Sequence, residues 1–209
     1  MSSALHRIFT PHPALAGVLM HLLVKQLPAC SYTVPASAQP MLLLLLEGRV
    51  RLAHGGYLPR IALCGPAHSA RAGTTDVPTR FLSVTFRAGQ FPRLFGRPLD
   101  EFVDLEVDLY DWLPRPQVDE LLDRIDNAAD IEQQVAAVQH FLLAKLAAYD
   151  GRSSTLHLPY QWADRSVTAL GDEYGLGARQ FERRFRNSYG MTLRSYRQQI
   201  RYGMAILSI

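Results

Sequence analysis

Between residues 41 and 86 the apolar positions fall into short β-rich runs, at 42–47, 50–53, 57–63 and 81–86. Gly48, Gly55, Gly56, Gly65 with Pro66, and Gly73 punctuate them, as turns between strands require. Phe81-Leu-Ser-Val-Thr-Phe86 alternates with a two-residue period, so one of its faces is expected to be buried. The runs predict a small antiparallel sheet or half-barrel. Upstream, residues 14–27 fit an amphipathic helix. Downstream the pattern turns helical, with a short piece at 90–95, a weaker stretch to 110, and a helix over 118–127 preceded by Pro114 and Pro116. Asp130 with Gln133 has the form of a capping box, after which Val135, Val138, Leu142 and Leu146 share one helical face. These last two helices are expected to pack together.

A second pattern occupies the C-terminal quarter. Ser166 is placed to cap a helix whose inward face is Val167, Leu170 and Tyr174. Gly175 ends it, Leu176 points back to the core, and Gly177 opens the next helix without a side-chain cap. On that helix, about 178–187, Ala178, Phe181 and Phe185 share one face, while Arg179, Glu182, Arg183 and Arg186 share another. Helix, short turn and helix make a helix-turn-helix. A recognition helix for a DNA groove and a surface helix with a solvated Arg face are equally compatible with these residues alone.

Charge sharpens the division of the chain. The net charge is +3, but residues 152–209 hold nine Arg against Asp164, Asp172, Glu173 and Glu182, leaving a mildly acidic body before them. A basic segment of this kind is a nucleic-acid footprint or ordinary solvated surface. The polar, small stretch at 151–158 reads as a linker, dividing a β-rich domain at 1–150 from an all-α domain at 159–209. The expected class is therefore α+β, a β-rich half-barrel or cupin-like domain with packed helices followed by an all-α helix-turn-helix domain.

Other chemistry is thin. Cys30 and Cys64 stand in no CxxC or Cys/His spacing, which points to a reducing cytosol and to neither a disulfide framework nor a zinc module. The apolar runs at 14–24 and 41–46 are too short to cross a bilayer, and no signal sequence opens the chain. His54 and His68 lie in the β region without a His-x-His pair or a Glu at ligand spacing, so no metal or cofactor is expected. Cys64-Gly-Pro-Ala-His68 offers either a thiol beside an imidazole or a simply buried Cys. With no other nucleophile, acid–base pair or phosphate loop, an enzyme is not expected.

The run Ala-Leu-Gly-Asp-Glu-Tyr-Gly-Leu-Gly-Ala-Arg-Gln-Phe-Glu-Arg-Arg-Phe-Arg-Asn-Ser-Tyr-Gly-Met-Thr-Leu-Arg-Ser-Tyr, within about 165–207, resembles the AraC/XylS family of bacterial regulators. Leu170, Gly175, Phe181, Arg183, Phe185, Gly190, Thr192 and Tyr196 fall at the family's spacing, followed by Arg201 and Ala205. The resemblance implies a cytoplasmic, sequence-specific transcriptional regulator whose partner is double-stranded DNA. Its base and phosphate contacts carry over onto Arg179, Glu182, Arg183 and Arg186, with Gln180 at the edge of the surface. Arg165 and Ser166 are backbone-phosphate candidates at a helix N-terminus.

Gly171 departs from the family's usual Ala, Gly177 from its usual capping Ser, and Leu193 from a frequent Pro. Family members carry two such units joined by a long helix. Leu193, Tyr196, Ile200, Met204 and Leu207 form the apolar stripe of that helix, and the sequence ends at Ile209 within it. A truncated or partner-dependent subunit acting by protein–protein interaction is therefore the alternative expectation. A looser resemblance, around Phe81-Leu-Ser-Val-Thr-Phe-Arg-Ala-Gly and Phe95-Gly-Arg-Pro-Leu-Asp-Glu-Phe-Val-Asp-Leu, is to the N-terminal domain of some AraC-like regulators. It implies a cupin-related sensor for a small effector, with helices for a homodimer. A cupin-like enzyme is the rival from another class.

Overall fold

The computed structural model describes residues 6–151 and 155–207, with side chains through Arg201. It combines a β-rich region with packed helices. Its larger sheet runs β1 (His6–Phe9), β2 (Leu19–Leu27), β8 (Thr79–Phe86), β4 (Met41–Glu47), β6 (Ile61–Cys64) and β9 (Glu106–Asp108) in spatial order. A smaller sheet runs β3 (Cys30–Val34), β7 (Arg71–Thr75) and β5 (Arg51–Leu52), and every pairing in both is antiparallel.

Alternation explains the central strands. In β8 and β4, Leu82, Val84, Leu42 and Leu44 turn to one buried face, opposite Leu22 and Val24 of β2 in register. That face meets α1 (Pro92–Phe95), α3 (Arg115–Asp126) and α4 (Ile131–Ala147) in one continuous core containing Phe91, Val118, Leu121, Val135, Val138 and Leu142. Asp130 caps α4 by accepting from Gln133 N at 2.8 Å, while the Gln133 side chain accepts from Ala129 N at 3.1 Å. Leu146 completes the face at the margin of the core. The opposite face of the sheet, with Leu45, Ala62 and Cys64, packs on Tyr32 and Leu52 of the smaller sheet.

Some sequence expectations are corrected. Residues 14–27 are not a helix: Pro13–Leu15 makes one 3-10 turn and Leu19–Leu27 is strand β2. The run is apolar enough for either period, and the backbone partners decide, since β2 is hydrogen-bonded to β1 on one side and β8 on the other. The strand expected over 57–63 begins only at Ile61, after an isolated bridge between Arg51 and Tyr57, because Pro59 has no N–H for the ladder. The 50–53 strand shortens to Arg51–Leu52, and the 90–95 helix begins at Pro92. The weak stretch before 110 divides into a 3-10 turn at Leu99–Phe102, strand β9 and helix α2 (Leu109–Trp112).

Three further helices follow: α5 (Val167–Glu173), α6 (Ala178–Tyr189) and α7 (Leu193–Leu207). Gly175 at φ 64° ends α5 and Gly190 at φ 70° ends α6, backbone positions that suit glycine. Leu170, Phe181, Phe185, Tyr189, Leu193 and Tyr196 form a second core, joined by Leu156 and Leu158. These two leucines fall in the segment read as a linker, yet Leu156 N donates to Ser188 Oγ at 3.0 Å and Leu158 N to Tyr189 OH at 2.8 Å. Residues 152–154 of that segment, and the Met204 and Leu207 side chains of the α7 stripe, lie outside the described set. Among the described residues no helix is long and apolar enough to cross a membrane.

Candidate nucleic-acid interface and cavity

Helix α6 is built with two unlike faces. Phe181 and Phe185 are fully buried, stacked 6.0 Å apart, and Phe185 in turn stacks on Tyr189 at 4.1 Å. Arg179, Gln180, Glu182, Arg183 and Arg186 are exposed, and Arg184 is partly covered. Ala178, expected on the inward face, is exposed instead. It is the first residue of the helix, one turn ahead of Phe181, where the core has already ended at the turn.

The helix start is held by Gln180, whose Oε1 accepts from Gly177 N at 3.4 Å. With no side chain on Gly177, only this half of a capping box exists. The Gln180 carbonyl is thus engaged in the helix start, leaving its amide N–H groups for an outside partner. Gly177 has φ −67° and ψ 153°, an ordinary N-cap conformation, and a Cβ there would meet nothing within 4 Å. Gly171 differs. A Cβ at this buried residue would lie 2.6 Å from Leu176 O, in the same turn where Leu176 N donates to Gly171 O at 2.8 Å.

Ser166 caps α5 by accepting from Ala169 N at 3.1 Å. Arg165 beside it is held in place: its guanidinium lies 4.9 Å over the Trp162 ring and pairs with Glu173 at 3.1 Å. Arg197 of α7 donates to the carbonyls of Ala163 and Arg165, fixing the backbone that presents this pair. Sequence reasoning missed Trp162 and Arg197. Their link to Arg165 spans a turn and a helix, and no spacing rule reports it.

The β region holds a second feature. Between its sheets lies a cavity of about 320 Å³ walled by Met41, Leu43, Leu52 and Leu58, with Tyr32 and Arg71 among its polar residues. Arg71 pairs with Glu106 at 3.0 Å, and both side chains are largely covered. Burial, chiefly, pushes the Cys64 thiol up to about 12, with the nearby Glu106 charge adding to it. His68 is engaged elsewhere, its Nδ1 lying 2.8 Å from Asp104 Oδ2. The reactive thiol–imidazole reading of residues 64–68 is therefore set aside in favour of a buried Cys. Burial works to raise the Asp104 carboxyl, but hydrogen bonds from the His68 side chain and backbone outweigh it and hold the group below its usual range. Among the described residues no three His, Cys, Asp or Glu side chains gather as metal ligands.

No protein-family model matches the chain, and no curated protein matches it. Solved structures similar to it include the AraC-like transcriptional activator CuxR, at 14% identity and TM-score 0.32, covering 96% of this chain and 85% of that one. Protein NMB1881 from Neisseria meningitidis aligns at 16% identity and TM-score 0.30, over 40% of this chain and 84% of that one. An acetylacetone dioxygenase from Acinetobacter johnsonii aligns at 14% identity and TM-score 0.30, over 40% of this chain and 59% of its own.

Proposed function

We propose that this protein is a sequence-reading, DNA-binding transcriptional regulator of the AraC type, with α6 as the helix that enters the major groove. The observation that carries the reading is the division of α6 into a buried Phe181/Phe185 face and an exposed face bearing Arg179, Glu182, Arg183 and Arg186. A groove-reading helix needs both, since one face must fix it to its domain while the other offers guanidinium forks to guanine edges and phosphates. The preceding helix supplies the companion contact, a capped N-terminus at Ser166 with Arg165 beside it, suited to a backbone phosphate. In this reading residues 1–150 sense a small effector in the cavity between the sheets and residues 159–209 read DNA.

The test is selection from a pool of random duplex DNA by the purified protein, with enriched sequences retested at two salt concentrations. A short enriched motif is expected, with binding that weakens as salt rises. Arg183→Ala is expected to lower affinity for that motif by roughly tenfold to a hundredfold, the scale of one lost bidentate base contact, without lowering thermal stability. Sequence-blind binding, or full affinity in the variant, would remove the assignment of α6.

A further inference from the structure

The turn at residues 65–68 belongs to two sites at once. On one side Gly65, Ala67 and Arg71 line the cavity. Arg71 Nη2 donates to Gly65 O at 3.0 Å and reaches Pro66 O at 3.4 Å, while Nη1 holds Glu106. On the other side Gln199 of α7 donates from Nε2 to Ala67 O at 2.6 Å. Pro66 lies against the end of α6, so close that a Cβ on Gly190 would stand 3.0 Å from its Cγ. Ala67 and Ser37 exchange backbone hydrogen bonds of 2.8 and 3.2 Å, and neighbouring Ala38 is buried in the helical core. Cavity wall and helix seat are therefore one piece of backbone.

The seat is not fully satisfied. Gln199 Oε1 is buried with no hydrogen-bond partner among the described residues. A buried acceptor left unpaired works against the docked arrangement, so the free-energy gap between seated and released α7 is narrowed. Pro66 O also accepts from Asp104 N at 2.8 Å, so the turn stays anchored there when Arg71 moves. The carbonyl that Arg71 alone holds among these contacts is that of Gly65.

Resting on the regulator reading, we propose that this turn couples the cavity to the DNA-reading unit, and that the ligand is an uncharged, largely apolar molecule bearing one acceptor oxygen. The walls favour an apolar body. Glu106 already cancels the Arg71 charge, so an anion gains little net attraction and would leave a covered carboxylate unpaired by displacing it. A neutral carbonyl or hydroxyl oxygen takes a guanidinium N–H and leaves the ion pair in place. Drawing Arg71 from Gly65 O frees the Gly65 end of the turn, which still pivots on Pro66 O, and so shifts the Ala67 carbonyl on which Gln199 sits. The ligand then favours the released state by its higher affinity for it.

The experiment is hydrogen–deuterium exchange on the full chain without DNA, comparing wild type, Arg71→Met, Gln199→Ala and the double variant. Arg71→Met is expected to raise exchange at residues 196–200 by roughly threefold to tenfold, the scale of one hydrogen bond. Gln199→Ala is expected to raise exchange at 65–68, because coupling runs both ways. At each site the double variant should fall short of the product of the two single effects, because both act through one set of contacts. As a probe, 2-nonanone should raise exchange at 196–200 saturably in the wild type, nonanoate should not, and Arg71→Met should abolish the response.

Unchanged α7 exchange in Arg71→Met, or fully independent effects, would overturn the coupling. Should Arg71→Met fail to fold, the Gln199→Ala effect on the turn decides in its place. Equal response to ketone and carboxylate would overturn the charge argument, and no saturable response to the ketone would overturn the ligand class. Because no DNA is present, failure of the coupling leaves the DNA-binding reading standing. Coupling without any DNA affinity would overturn that reading alone.

Discussion

Phe185 shows how one side chain ties several layers of the C-terminal unit together. Its ring stacks on Phe181 and Tyr189 and meets Tyr196 of α7 edge-on at 5.6 Å. Phe185→Ala removes all three contacts and is expected to destabilise this unit by about 3–5 kcal/mol, read as a lowered melting transition. Normal stability would mean the ring is not the keystone of that core. The thiols offer a second check. Cys64 is buried and its ionisation is pushed up to about 12, so its thiolate is scarce at pH 8. Half-buried Cys30 should be alkylated by iodoacetamide in the native protein while Cys64 is alkylated only after unfolding, an order that mass spectrometry reads directly. The inward role of the phenylalanines was legible in their spacing on one helix. The partnership of Arg71 with Glu106 was not, because 35 positions of chain separate residues that the two sheets bring together.

At the scale of elements, Gly171 and Gly177 prove physically opposite. Gly177 occupies an ordinary N-cap conformation with open space around it, so Gly177→Ser is expected to stabilise α6 by a few tenths of a kcal/mol. A Cβ on Gly171 would stand 2.6 Å from Leu176 O in the turn, so Gly171→Ala is expected to destabilise the helix pair. Thermal melts of the two variants should move in opposite directions, and a shared direction would show that the turn adapts. Sequence alone cannot tell them apart, since the difference lies in what stands opposite each Cα. The helix pair itself was legible, because its caps, stop and periodicity are all local. Strand β2 was not, because its apolar run suits either period and its hydrogen-bond partners lie in the distant β8 and in β1.

For the whole molecule, the contacts of residues 65–68 link its two regions, and acidity offers a way to loosen them. Asp104, at φ 60°, accepts from both the backbone N and the side chain of His68, at 2.7 and 2.8 Å. Its carboxyl is held below the ordinary value of 3.8, so its contribution to stability is complete above that pH. The contribution is lost as pH falls through the lower folded value. Limited proteolysis across this acid range should show the turn opening in wild type, while Asp104→Asn should already be open near neutrality. Equal resistance of both proteins would show that the turn holds without the carboxylate. The passage from short β-rich runs to helical periodicity was visible along the sequence. The contact between them was hidden, because Pro66, Ala67 and Gln199 are unremarkable residues that only the fold makes neighbours.

Trp162 stacks under Arg165 and meets Tyr174 edge-on at 6.4 Å, while the chain's other tryptophan, Trp112, packs against Phe102 in the β-rich part. An indole emits differently when a cation leaves its face. In a Trp112→Phe background, light from Trp162 would therefore record the moment Arg165 exchanges an aromatic ring for a phosphate, so the protein carries its own optical reporter at the edge of the surface proposed to meet DNA.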